Sequence, residues 1–216
     1  MEVVRAHVGA HGLAVCSNGA VVLGLREDRL LLARPIPLDV GSAVVRDLRA
    51  AMPDVRFAVE SATGFAMEPD YPAVHPRPAG SPVEPVEALL RREPVKLMAR
   101  GGGGAAAPDA FLEAVDRIAA DRVVATRSGT TAMVEISAAG VTKASTLQLL
   151  CDRFGIAAEE VVAFGDMPND LPMLAWAGRS FAVAGAHPAL DAVATDRTAS
   201  NDEDGVAQAL EALFAL

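Results

Sequence analysis

Residues 159–178 read EEVVAFGDMPNDLPMLAWAG: an apolar run that ends in a carboxylate, a proline turn, a second carboxylate and an apolar helix. The run at 161–165 is short and continuous, which is how a strand buried on both faces reads in a parallel sheet. Working outward, TKASTLQLLCDRFGI (142–156) has helical spacing, with Thr142 placed to cap it. Downstream come a strand at SFAVAG (180–185), a helix at HPALDAVA (187–194) and a last helix from Asp202 onward. Helix and strand alternate throughout, which predicts an α/β region with a parallel sheet and helices packed on it.

Further toward the N-terminus the texture changes. LAVCSN (13–18) reads as a short buried strand, Asn18-Gly19 as a turn, and AVVLGL (20–25) with RLLLARPI (29–36) as a hairpin around the polar REDR. Before them, Val3, Val4 and Val8 suggest the end of a helix stopped at Gly9 or Gly12. From Pro37 to about Ser137 the order is helix (40–52), strands (55–60 and 64–68), a loop holding five prolines (71–85), strand (94–100), the connector GGGGAAA (101–107), helix (108–120) and strands (122–128 and 131–137). Without regular strand-helix alternation, this stretch predicts an α+β module with an antiparallel sheet.

The 216 residues are 51% apolar and carry 28 acidic against 19 basic side chains, a formal charge of −9. A sizeable core is expected, and disorder is excluded. The negative charge repels phosphate backbones and anionic bilayers, so the chain is read as binding neither nucleic acid nor membrane. A phosphate partner must be small and met by local cations, backbone amides or a metal. Cys16 and Cys151 stand far apart without a C-x-x-C, and no stretch approaches the ~20 apolar residues of a membrane span, so a cytoplasmic protein is expected. His7, His11, His75 and His187 lack metal-ligand spacing and read as structural or solvent-facing. GGGGAAA lacks the lysine of a phosphate loop and reads as a connector; Trp176, at helical spacing with Leu171 and Leu174, reads as core.

Chemistry concentrates at two places. Asp166 and Asp170, four residues apart beyond a parallel strand, stand where ligands bind in open α/β sheets, and their oxygens suit Mg²⁺. The plainer reading makes Asp170 a helix cap and Asp166 a solvated turn carboxylate. Lys143 falls in the first turn of a helix, where the dipole disfavours a cation by ~0.3–1 kcal/mol unless an anion is near. A solvated lysine after the cap is the alternative.

CSNGAVV (16–22), GVTKASTLQLL (140–150), EEVVAFGDMPNDLPMLAWAG (159–178) and ASNDEDGVAQAL (199–210), in this order, resemble the Cof-type branch of the haloacid dehalogenase-like (HAD) phosphatases. The likeness extends from Leu13 to Ala212. It implies a Rossmann-like α/β core carrying an inserted α+β cap: core residues 1–37 and 138–216, cap residues 38–137. It implies Lys143 as the catalytic lysine that holds the phosphate, Asp166 and Asp170 as Mg²⁺ ligands, and Asn169 as an orienting amide at the phosphate. The Asn18 turn would lie near the cleft as a further phosphate contact. The family reaction resembles phosphoryl transfer to an aspartate followed by hydrolysis of the aspartyl phosphate, on a small phosphorylated metabolite.

The chain departs from the pattern at its start. The family's opening strand with D-x-D-G-T and the following strand that ends in a phosphate-binding threonine or serine have no counterpart, and the first aspartate, Asp28, sits in the REDR turn. Gly185 stands where relatives usually show asparagine. The nucleophile, the general acid/base and one phosphate ligand are therefore unmatched, and the chain alone is expected to be inactive. The two absent strands would lie between LAVCSN and VVAFGD, so a gap in the sheet is expected. It would be filled in a longer protein, with Met1 an internal methionine, or by a homo-oligomer that completes the sheet. The alternative reading is a non-catalytic binding or interaction protein built on a partial HAD fold.

Overall fold

The computed structural model describes residues 12–62, 64–72, 78–101, 107–129 and 131–215. The helix end expected before Gly9, His7, His11, His75 and most of GGGGAAA lie outside the described residues. The chain divides into two compact units, one up to Val141 and one from Thr142.

The first unit opens with an antiparallel sheet β1 (Leu13–Cys16), β2 (Val21–Gly24) and β3 (Arg29–Ala33), in that order. Cys16 pairs with Val21 across a turn in which Asn18 and Gly19 have φ of 57° and 102°, so the expected turn forms. β1 is half-buried throughout and not the buried strand expected, because among the described residues it has β2 alone as a neighbour.

There follow α1 (Leu38–Ala51), β4 (Arg56–Ser61), β5 (Gly64–Met67), α2 (Val86–Leu90), β6 (Lys96–Arg100), α3 (Pro108–Ala119), β7 (Val123–Thr126) and β8 (Met133–Ala138). The five strands form one antiparallel sheet in the order β5-β4-β6-β8-β7. Val44, Val45 and Leu48 share one face of α1, and Phe111, Val115 and Ala119 recur every four residues on α3. These stripes meet Phe57, Val59, Leu97 and Ile136, all 1% exposed or less, in one core. Each such side chain stabilises the fold by roughly 1.5–3 kcal/mol. Alternation along the strands sends Glu60, Lys96, Met98 and Glu135 to the opposite face. The short helix α2 was not signalled by the sequence, since its five residues follow the proline-rich stretch without a full helical period.

The second unit begins with α4 (Lys143–Phe154). Thr142 caps it by accepting from the Ser145 amide at 3.0 Å while Ser145 Oγ accepts from the Thr142 amide at 3.0 Å. Then come β9 (Val162–Gly165), a 3-10 turn (Pro168–Asp170), α5 (Leu171–Trp176), β10 (Arg179–Val183), a 3-10 turn (Pro188–Ala192), β11 (Asp196–Thr198) and α6 (Gly205–Phe214). The strands are parallel in the order β11-β10-β9, as the alternation predicts. Ala163, Leu174, Ala177, Ala182 and Leu190 form the core, with Trp176 partly buried against it. HPALDAVA makes a 3-10 turn where a helix was expected, because its apolar stretch is too short for three helical turns. The strand Asp196–Thr198 went unread, since DRT carries no apolar alternation. Among the described residues β1 and β9 belong to different sheets, and each is paired along one edge.

Candidate functional site

β9 delivers its chain end to the loop GDMPND, and the site is built around Asp170. This aspartate is 3% exposed. Its Oδ2 accepts from the backbone amides of Asp166 and Met167, at 3.1 Å each. Its Oδ1 accepts from Lys143 Nζ at 2.5 Å. Asp170 therefore reaches back across its own loop. It does not cap the helix that follows it, for α5 shows no side-chain cap from this residue. Gly165 makes the approach possible: a Cβ there would stand 2.6 Å from Asp170 Cβ, closer than two carbons can come.

The pair explains the position of Lys143. A cation in the first turn of α4 faces the positive end of the helix dipole, and the Asp170 carboxylate offsets that repulsion at contact distance. Asp166, by contrast, is exposed at the carboxyl end of β9, so its carboxylate faces solvent. Its backbone carbonyl accepts from the His187 amide at 2.8 Å, which ties the loop after β10 to the loop after β9. Asn169 is buried within the same turn, at 8% exposure.

The structure thus brings Lys143, Asp166, Asn169 and Asp170 to one loop cluster within the second unit. Asn18 belongs to the first unit, where its Nδ2 donates to Glu135 Oε2 at 3.1 Å. Sequence reading assigned no role to Gly165, which the tight Phe-Gly-Asp junction could have revealed. His187, read as structural or solvent-facing, makes its tie through the backbone, which leaves no trace in residue type.

Whether Mg²⁺ suits these groups depends on which oxygens have room. Both Asp170 oxygens are engaged by protein donors, and the Asp166 carboxylate is open to water. One open carboxylate fits a cation that keeps several of its waters and takes one or two carboxylates. Asp166 would then be the direct ligand, with Asp170 fixing the loop and compensating Lys143.

Comparison with known proteins bears on the family and the fold. A family profile described as haloacid dehalogenase-like hydrolase matches residues 1–210. The 5-amino-6-(5-phospho-D-ribitylamino)uracil phosphatase YitU of Bacillus subtilis is 42% identical over 84 residues, covering 39% of this chain and 31% of its own. The phosphatase of the same name, YbjI, from Escherichia coli is 41% identical over 78 residues, 36% of this chain and 29% of its own. The matched segments thus span about a third of those relatives. Among solved structures, SMU.1108c of Streptococcus mutans superimposes with a TM-score of 0.77 at 21% identity, covering 94% of this chain and 77% of its own. BT1666 of Bacteroides thetaiotaomicron, a phosphatase of the HAD superfamily, gives 0.73 at 25% identity over 92% of this chain and 72% of its own. The fold is the Rossmann-like α/β architecture of that superfamily, and the antiparallel α+β module is consistent with its cap. A profile match along nearly the whole sequence places this chain in the family of haloacid dehalogenase-like hydrolases.

Proposed function

We propose that the intact protein is a Mg²⁺-dependent phosphatase of small phosphorylated metabolites, and that residues 142–216 supply its lysine and metal-binding loop. The observation that carries this reading is the Lys143–Asp170 pair at 2.5 Å in the loop that presents Asp166 to solvent. Lys143 holds a phosphate oxygen, Asn169 is an orienting amide at the phosphate, and Asp166 is the metal ligand, with Asp170 its partner directly or through water. When bound, Mg²⁺ supplies charge neutralisation at the phosphate. Asn18 is a further phosphate contact in this reading, and residues 1–37 join 138–216 as the core while 38–137 form the cap. The pyrimidine ribityl phosphate named for the Bacillus and Escherichia relatives is the first substrate to try with a longer protein.

No aspartate in D-x-D-G-T context exists in this sequence, so the chain as given is proposed to bind phosphate and metal without turnover. A homo-oligomer in which a second copy pairs along an open strand edge is also proposed. A cytoplasmic location is proposed; among the described residues no helix is long and apolar enough to cross a membrane. The test pairs calorimetry with an assay. Mg²⁺ with inorganic phosphate is titrated into the wild-type chain and into Asp166→Ala, and release of phosphate from p-nitrophenyl phosphate is followed in both. Binding lost in the variant, with no turnover in either, is expected. Mg²⁺-dependent turnover abolished by Asp166→Ala would refute the inactive-chain reading, and Mg²⁺ affinity unchanged by the substitution would refute the metal site. Intact mass of the polypeptide from its natural source decides between the longer enzyme and a binding protein of 22.3 kDa.

A further inference from the structure

A second set of buried charges lies in the first unit, on the sheet face opposite its helices. Lys96 of β6 and Glu135 of β8 are 8% and 6% exposed, and their side chains meet with Nζ 3.0 Å from Oε1. Glu60 of β4, directly opposite Lys96 in the register, places Oε2 3.4 Å from the same ammonium. Each carboxylate then uses an oxygen outside the sheet. Glu60 Oε2 accepts from Ser17 Oγ at 2.9 Å, and Glu135 Oε2 accepts from Asn18 Nδ2 at 3.1 Å. The result is a closed circuit from Lys96 through both glutamates to two adjacent residues of the turn between β1 and β2.

That turn has an unusual backbone. Ser17, Asn18 and Gly19 have φ of 50°, 57° and 102°, three successive residues in the left-handed region. Glycine enters this region freely and asparagine tolerates it; serine rarely does, and L-residues occupy it singly as a rule. A strained conformation of this kind persists when its surroundings over-determine it, and here both non-glycine side chains are tied to carboxylates. Glu135 is buried and needs a partner for its charge, whereas Glu60 is partly open to water and is held beside the same ammonium.

We propose that Lys96 is a positioning residue for the Ser17–Gly19 turn. Its ammonium fixes the orientation of the Glu60 and Glu135 carboxylates, and they hold Ser17 and Asn18 in the left-handed conformation before any ligand arrives. The claim concerns the free protein and holds whether or not Asn18 goes on to contact a phosphate.

Amide hydrogen exchange by NMR on the ligand-free chain tests it. The reporters are the Ala20 amide, which donates to Ser17 O at 3.1 Å, and the Asn18 side-chain amide; Leu97 and Val134, in the paired strands β6 and β8, report on the sheet. Lys96→Met preserves length and removes charge. It is expected to speed Ala20 exchange by about tenfold or more and to shift the Asn18 side-chain signal, while sheet amides stay within about twofold. Lys96→Arg, which keeps the charge, is expected to return both reporters toward wild type. Glu60→Gln, at a position already open to water, is expected to move them by a smaller factor and serves if Lys96→Met does not fold. An Ala20 rate unchanged in Lys96→Met, Lys96→Arg behaving like Lys96→Met, or Glu60→Gln leaving both reporters at wild type would each overturn the proposal.

Discussion

Lys143 and Asp170 lie 27 positions apart in sequence and share a 2.5 Å hydrogen bond, with the aspartate all but sealed from water and the lysine part-exposed. The asymmetry decides which partner matters more for stability. Asp170→Ala strips two backbone amides of their acceptor and leaves Lys143 facing its helix dipole. A loss of about 2–4 kcal/mol is expected in urea unfolding. Lys143→Met leaves the carboxylate with its two amide donors, and about 1–3 kcal/mol is expected. Equal and negligible losses would show that the pair does not hold the loop.

Gly165→Ala forces a methyl to within 2.6 Å of Asp170 Cβ. Overpacking of this kind costs about 1–3 kcal/mol and must push Asp170 away from its amides. A lowered melting temperature together with weaker Mg²⁺ binding is the expected result, since the displaced aspartate no longer shapes the loop that carries Asp166.

Asp166→Asn separates function from folding. The side chain is exposed, and a surface substitution outside special features changes stability within about ±0.5 kcal/mol. Urea midpoints are expected to coincide with wild type while the Mg²⁺ titration flattens.

The pH dependence of unfolding reports on the first unit. For Glu135, burial raises the carboxyl, but the Lys96 charge and bonds from Asn18, Lys96 and Ser128 outweigh it and leave the group below the usual carboxylate range. For Lys96, burial lowers the ammonium, and the charges of Glu135 and Glu60 more than restore it, holding it above the usual lysine value. A carboxyl depressed on folding contributes stability that is present above its unfolded pKa, about 4.3, and is lost as pH falls through the folded value. An ammonium raised on folding contributes stability that is full below about 10.4 and is lost as pH rises through its folded value. Urea midpoints should therefore hold between these limits and fall on either side. Glu135→Gln should lower the plateau and make the acid limb shallower; an unchanged limb would dismiss this carboxylate as a contributor.

Leu190 is fully buried in the small core under the parallel sheet. Leu190→Ala is expected to cost about 2–5 kcal/mol, read as a shift in the chemical denaturation midpoint.

Much of this was legible in the residues themselves. VVAFG announced a parallel strand because a continuous apolar run needs cover on both faces, and Thr142 announced the start of α4 through its capping hydroxyl. The same logic fails where the signal is not a side-chain pattern. Asp196–Thr198 is a strand by its backbone pairing to β10, and a three-residue polar segment at a sheet edge has no apolar face to show. The carboxylates Asp166 and Asp170 could be singled out by spacing, but their division of labour could not. One faces water and the other is enclosed by its own loop, a difference set by the close approach at Gly165. Asn18 likewise reads as a turn residue; its bond to Glu135, 117 positions away, exists only through tertiary packing.

The strand order β5-β4-β6-β8-β7 also dictates a sequence of events as the chain leaves the ribosome. β4 and β5 emerge together as a hairpin, and β6 can add to β4 at once, which gives Lys96 a first partner in Glu60. Its second, Glu135, arrives on β8 only after α3 and β7 have been made. Until then the ammonium sits on an open strand edge in contact with water, and the desolvation that would trap a half-built sheet is postponed. A β8 slipped by one residue would turn Glu135 to the helix-covered face and part it from Lys96, so the ion pair favours the observed register over its neighbours.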